Sequence, residues 1–329
     1  MIGHRAQREQ MNEAIRLGRV AHGYCFEGPE AIGKMKMAFH FAKDLLCMQE
    51  ETSCGHCHSC QMFDGGNHPD FHVYRPEGKS IKREQAEAAI HELQVRSYEG
   101  GYKVFLFDEA EKMTAAAQNA LLKSLEEPPD QTVILLVTAN PQGLLPTIRS
   151  RLQSVRFYPV EESDIVKGLL AHGANQDLAV KIARLSEGRP GRALSLLESQ
   201  EFQVLQEASE KALSHLLSKQ PLHIVSFLSI FETHKEQADA ILNDFLNFFR
   251  DVLVYQTTRE ENRILNPARR IQVKETALRV PEAVIYDIME QIIQTKEQLR
   301  RNLNLTVGLQ QMFRIIQEEI SENDRRRSL

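Results

Sequence analysis

Gly28-Pro29-Glu30-Ala31-Ile32-Gly33-Lys34-Met35 has the spacing of a phosphate-binding loop, G-x-x-x-x-G-K-[ST], in all but its last position. Such a loop wraps backbone N–H groups round phosphate oxygens at a helix N-terminus, and its lysine adds a point charge. A Ser or Thr at the last position would ligate the nucleotide's magnesium. Met35 stands there instead, and a thioether is a poor ligand for a hard cation. The loop is therefore equipped to hold phosphate and badly equipped to hydrolyse it. A glycine turn with no ligand is the other way to read the same residues. Further along, Asp108-Glu109-Ala110-Glu111 follows the apolar run Val104-Phe105-Leu106-Phe107. Acids at the carboxyl end of a central strand are what a phosphate-loop fold needs: Asp108 to hold magnesium through water, and Glu109 to polarise an attacking water. Their alternative is an acidic strand end facing solvent.

A second chemistry lies in Cys47, Cys54, Cys57 and Cys60, spaced C-x6-C-x2-C-x2-C. Tight CxxC steps let two thiolates reach one ion, and four thiolates close a tetrahedral structural zinc site. His56 and His58 lie between them and offer a substitute ligand. Disulfides or free thiols are the competing readings; a reducing compartment argues against the first, and four cysteines within fourteen residues argue against the second. Cys25 stands apart, on an apolar run, and reads as a buried small hydrophobe. Arg151 closes Leu144-Leu145-Pro146-Thr147-Ile148-Arg149-Ser150-Arg151, just after the polar strand end Thr138-Ala139-Asn140. Alone, it reads as a solvated surface residue.

These residues need elements to position them. The apolar run Tyr24-Cys25-Phe26 feeds the loop and a helical pattern, Met37 to Met48, leaves it. Residues 1–20 read as an amphipathic helix, with Met11, Ala14 and Ile15 on one side and no Gly or Pro inside Arg5–Leu17. Phe71-His72-Val73-Tyr74 is a short strand, Lys82–Val95 a helix, and Val104–Phe107 and Val133–Val137 strands buried on both faces. Met113–Leu125 is a helix stopped by Pro128-Pro129, a short helix covers Ile148–Leu152, and Val155-Arg156-Phe157 is a last strand. Strands alternating with helices imply an α/β parallel sheet. Beyond Pro159 the strand signals cease. Short helices surround Gly188-Arg189-Pro190-Gly191, and from about residue 203 the chain is all helix, with Ile224, Phe227, Leu228 and Phe231 and then Ile241, Phe245, Phe248, Phe249 and Val252 at helical spacing. One last helix is expected from Pro281 to Ile320, with a frayed tail after it.

The 329 residues suggest two or three domains, and 42% hydrophobic with 26% charged content fits a globular protein. The N-terminus has no signal-peptide core and no run is long enough to span a membrane, so a cytoplasmic location is expected. A net charge of −5 excludes polyanion binding by bulk electrostatics.

Together, these elements resemble the clamp-loader AAA+ family across nearly the full length. The resemblance is carried by Ala21-His22-Gly23-Tyr24 before the loop and by the four-cysteine insertion. It is carried also by Asn119-Ala120-Leu121-Leu122-Lys123-Ser124-Leu125-Glu126-Glu127-Pro128-Pro129 and by the Pro146-Thr147-Ile148-Arg149-Ser150-Arg151 run. The family's Ser-Arg-Cys appears here as Ser150-Arg151-Leu152, with the arginine kept. The resemblance implies a RecA-like P-loop domain with a parallel sheet over 1–160, holding the zinc module (47–60), a helical lid over 161–202, and a helical collar over 203–329. It implies a degenerate site for ATP or ADP, bound but not hydrolysed, formed by Gly28, Gly33, Lys34, Asp108, Glu109, Thr138, Asn140 and Arg192. It implies that Arg151 is an arginine finger acting in trans, and that Zn2+ sits on Cys47, Cys54, Cys57 and Cys60. The implied partners are delta and tau/gamma subunits, and through the complex the sliding clamp and primed DNA, within a polymerase holoenzyme. Loss of the loop hydroxyl at Met35 points to a rigid stator rather than to an active ATPase of tau/gamma type, which is the alternative. A zinc-dependent DNA-binding protein is a further alternative, disfavoured because only Lys79, Lys82 and Arg83 lie near the cysteines.

Overall fold

The computed structural model describes residues 2–49, 52–218, 223–300 and 305–327. Its first half alternates helix and strand. In chain order these are α1 (Arg5–Arg16), β1 (Gly23–Glu27), α2 (Lys34–Leu46), α3 (His58–Asp64), β2 (Phe71–Tyr74), α4 (Arg83–Gln94), β3 (Lys103–Phe107), α5 (Ala115–Glu126), β4 (Thr132–Thr138), α6 (Pro146–Arg149) and β5 (Gln153–Arg156). The five strands form one sheet in the order β2-β3-β4-β1-β5, every neighbouring pair parallel. In strands, successive side chains leave on opposite faces. On one face Tyr24, Phe26, Val104, Leu106, Val133 and Leu135 meet Met37 and Phe41 of α2. On the other, Cys25, Phe105, Phe107, Ile134 and Leu136 meet Leu121 and Leu125 of α5. Burial on both sides explains the unbroken apolar runs of β3 and β4. It also pushes the Cys25 thiol up to about 12, so Cys25 packs as a hydrophobe.

The chain separates into two compact units, Met1–Gly168 with Ser186–Arg192, and Leu169–Leu185 with Ala193–Leu329. The remaining helices are α7 (Glu162–Ala171), α8 (Gln176–Leu185), α9 (Pro190–Glu198), α10 (Gln200–Leu217), α11 (His223–Thr233), α12 (Ala238–Thr258), α13 (Arg270–Arg279), α14 (Glu282–Arg300) and α15 (Leu305–Arg327). Phe227, Phe231, Phe245, Phe249 and Phe313 fill the core of the second unit. The phenylalanine periodicity of α11 and α12 is thus spent inside the unit. The exposed apolar residues are others, among them Val225, Ile271, Tyr286 and Val307.

Three expectations change. The helix expected over 281–320 is two helices, α14 and α15, and Gly308 of α15 faces Gln298 and Thr295 of α14. Hydrophobic periodicity carries through such a reversal because both helices present their apolar stripe to one core. α15 continues to Arg327, past the point where fraying was expected, and residues 328–329 lie outside the described residues. The short helix expected at Ile148–Leu152 is α6, which begins at Pro146 and leaves Arg151 just beyond it. Proline at a first helical position is favourable, which moves the start back.

One polar cluster lies within the second unit. Lys181 of α8 faces Asp244 of α12 at 3.6 Å, and Arg269 Nη1 donates to the same carboxylate at 2.6 Å. No helix among the described residues is long and apolar enough to cross a membrane.

Candidate functional site

The phosphate loop leaves β1 and enters α2 at the carboxyl end of the sheet, beside the crossing point where ligands settle in such folds. Two glycines are required by its path. A Cβ on Gly28 would lie 2.5 Å from Phe157 O, and Gly33 has a φ of +113°, in the left-handed region. Lys34 is the first residue of α2 and is buried. Its Nζ donates to Gly28 O at 2.6 Å and Pro29 O at 2.7 Å. Burial lowers its pKa, opposed by Glu111, Glu30 and Asp108. An ammonium facing only loop carbonyls and more distant acids is a cation prepared for an anion. Met35 is half-buried and packs against the apolar cluster on the α2 face of the sheet. It contributes packing where a magnesium ligand would stand.

The acids lie where β3 ends. Asp108 is half-buried, its Oδ1 accepts the Glu109 N–H at 3.0 Å, and Arg75 Nε lies 3.7 Å from its Oδ2. Burial raises its pKa above the ordinary aspartate value. Glu109 takes a left-handed backbone, φ +48°, and its carboxylate pairs with Lys112. At the end of β4, Thr138 O accepts the Gly28 N–H at 3.3 Å, which ties that strand to the loop. The Thr138 hydroxyl accepts the Asn140 N–H at 3.1 Å, and Asn140 Oδ1 caps the following turn through Gln142 N at 3.2 Å. Both side chains are thereby engaged locally. Above β1, β4 and β5 a cleft of about 470 Å3 is lined by Gly28, Pro29, Arg149, Arg156 and Tyr158, among others.

The two assigned arginines lie apart. Gly191 N donates to Ala31 O at 2.8 Å, which brings Arg192 next to the phosphate loop, where it pairs with Glu187 at 3.3 Å. Arg151 instead points to α5: Nη2 donates to Glu126 Oε1 at 2.6 Å and Nη1 to Thr147 O at 2.8 Å.

The cysteine module is a separate centre. The sulfurs of Cys47, Cys54, Cys57 and Cys60 all lie within 4.8 Å of one another, and all four are free thiols. Tetrahedral zinc with Zn–S of about 2.3 Å needs sulfurs about 3.8 Å apart, and Cys47 and Cys57 stand at 3.9 Å. Backbone N–H groups already point at the sulfurs: Gln49 and Cys54 at Cys47, Cys57 at Cys54, and Cys60 at Cys57, at 3.3–3.4 Å. Such amides stabilise thiolate charge, so the donor set fits a zinc ion. His56 binds Cys54 O and His58 binds Glu99, so neither replaces a cysteine. The module is tied to the end of α2 and to the segment before β2 through Ser59, whose Oγ donates to Leu46 O at 2.5 Å and meets His68 Nε2 at 2.8 Å.

Several contributors had no motif to reveal them. His4 Nε2 donates to Ile32 O at 2.7 Å and its ring meets Phe157 edge-on at 5.0 Å, so the N-terminus braces the loop. Glu111 Oε1 accepts the Ala139 N–H at 3.3 Å, while its other oxygen is buried with no partner among the described residues. Gln118 of α5 donates to Met113 O and Gly143 O, both at 3.1 Å, and accepts the Leu145 N–H at 2.7 Å. Of these, only Glu111 had a signal, its place in the acidic run after β3.

Two family models match the chain, "DNA polymerase III, delta subunit" over residues 3–161 and "DNA polymerase III, delta subunit, C terminal" over 200–317. The chain is 30% identical to the DNA polymerase III subunit delta' of Bacillus subtilis, over 93% of each chain. It is 30% identical to the Pseudomonas aeruginosa subunit delta', over 87% of this chain and 88% of that one. Among solved structures it is similar to the Thermotoga maritima RuvB Holliday junction branch migration motor, with a TM-score of 0.45 and 17% identity over 63% of each chain. With relatives aligned almost end to end, and with the loop, acids and cysteines in place, the chain belongs to the DNA polymerase III delta' subunit family.

Proposed function

We propose that this chain is the stator-like, non-hydrolysing subunit of a clamp loader. It assembles with delta and tau/gamma subunits in a cytoplasmic, nucleoid-associated replisome, and through that complex helps load the sliding clamp on primed DNA. The division into a nucleotide-binding domain (1–160), a lid (161–202) and a collar (203–329) belongs to this reading. Gly28, Gly33 and Lys34 grip the phosphates of ATP or ADP, with Asp108, Glu109, Thr138, Asn140 and Arg192 around them, and no hydrolysis follows. Cys47, Cys54, Cys57 and Cys60 hold one structural zinc, which braces the insertion against α2. Arg151 serves the active site of a neighbouring subunit.

The observation that carries the reading is Met35, whose side chain packs on the apolar face of the sheet where a hydroxyl would ligate magnesium. An arginine retained for a site that cannot hydrolyse has nothing to do there. At an interface, its planar fork supplies fixed charge to a partner's γ-phosphate.

The test is reconstitution with Arg151→Ala. The isolated chain binds about one zinc per molecule and turns over ATP far more slowly than about 1 s⁻¹, the low end for working enzymes. In the complex, Arg151→Ala leaves assembly and zinc content unchanged while clamp-stimulated ATP hydrolysis falls. At one active site such fingers are worth about 10³–10⁵, and the visible loss is smaller because the other sites keep theirs. Brisk turnover by the isolated chain would favour the active-ATPase reading. Full activity of the Arg151→Ala complex would make Arg151 a surface residue.

A further inference from the structure

We propose that Glu126 is a positioning residue that aims Arg151, an inference that rests on reading Arg151 as a finger in trans. The two terminal nitrogens of the guanidinium are held on different sides. Nη1 donates to Thr147 O at 2.8 Å and to Ser150 Oγ at 3.4 Å, within its own turn. Nη2 donates to Glu126 Oε1 at 2.6 Å, across to α5. A guanidinium is a rigid plane with five N–H donors, so anchoring both ends sets the direction of the plane and leaves donors unspent. The Arg151 side chain remains 33% exposed and can still meet an incoming anion.

Glu126 is badly placed for any other purpose. It is the last residue of α5, at the negative end of the helix, where a carboxylate is unfavourable. Pro128-Pro129 follow and prevent the helix from continuing, so that end cannot drift. A cation is what that carboxylate needs, and Arg151 supplies it from 25 residues away. Both partners are mounted on packed elements. Leu125 and Ile148 share one core cluster, and Gln118 stitches α5 to Gly143 and Leu145, the segment leading into α6. The pair is therefore carried on a stiff support. Glu126 itself is half exposed, and exposed pairs contribute little to stability. What the contact supplies is order: it removes rotamer freedom from Arg151 before the phosphate is met.

The test uses the reconstituted complex carrying Glu126→Ala, Glu126→Gln, Arg151→Ala, or Glu126→Ala with Arg151→Ala. Clamp-stimulated ATP hydrolysis is measured as kcat and KM, with the melting temperature of each variant. Glu126→Ala should lower kcat about two- to five-fold, the fold-change that exposed pairs support, with KM and melting temperature unchanged. Glu126→Gln keeps an acceptor and should recover most of the loss. Adding Glu126→Ala to Arg151→Ala should lower the rate no further. A wild-type rate for Glu126→Ala beside a slow Arg151→Ala overturns the aiming role alone. A faster Glu126→Ala overturns it too, since the carboxylate would then be restraining the finger. A wild-type rate for Arg151→Ala removes the finger itself, and this inference with it.

Discussion

Lys34 and Lys181 are both nearly inaccessible, at 7% and 5% exposure, and burial lowers the pKa of each. Their surroundings differ. Lys181 lies with Gln206, the Asp244 carboxylate and the Arg269 guanidinium, a buried cluster in which two cations share one carboxylate. Lys34 has carbonyl oxygens in contact and its acids further off. A buried cation without a counter-ion in contact is costly unless something arrives to complete it. A structural lysine finds a counter-ion within its own fold, and a binding lysine is left for a ligand to neutralise.

The largest effect is expected on removing the counter-charge. Asp244→Ala leaves Lys181 and Arg269 buried without it, and should cost about 3–5 kcal/mol, read by urea denaturation of the full chain. A loss below about 1 kcal/mol would mean that Asp244 is not what makes the burial of these two cations tolerable.

Lys34→Ala probes the other side. It should weaken binding of pyrophosphate or ADP about 10- to 100-fold, as expected for hydrogen bonds to a charged group. The denaturation midpoint should move far less than for Asp244→Ala. A stability loss as large as that variant's would place Lys34 with the structural lysines.

The smallest effects are in pH. Phosphate binding needs Lys34 charged, and its folded pKa lies below the ordinary 10.5. Affinity should therefore fall as pH rises through that lowered value, before free lysine titrates, and this dependence should vanish in Lys34→Ala. At Asp244, burial pushes the pKa up, but Arg269 and Lys181 outweigh it and hold the carboxyl below its ordinary 3.8. Its contribution is present above 3.8 and lost as pH falls through the folded value. Denaturation followed between pH 5 and 2 should show this loss in the wild type and a shallower one in Asp244→Ala. Equal slopes would remove Asp244 from the account.

Much of the fold was legible because it is written in short periods. The apolar runs at 24–26, 104–107 and 133–137 became the three central strands. The reversal between α14 and α15 was not legible, because one apolar stripe serves both helices. Nor was the fate of the phenylalanines, since helical spacing says that a face is apolar and not what covers it.

Chemistry that rests on local spacing can be read from the chain alone. A phosphate loop is built from backbone within one strand, turn and helix, and the four cysteines lie within one insertion, so neighbours in sequence are neighbours in space. Met35 was legible for the same reason. Which distant groups answer each other is visible only in the folded chain: His4 with Ile32, 28 residues on, Arg151 with Glu126, and Lys181 with Asp244. Those pairs depend on how helices pack, which involves the whole core, and no short stretch of residues encodes it.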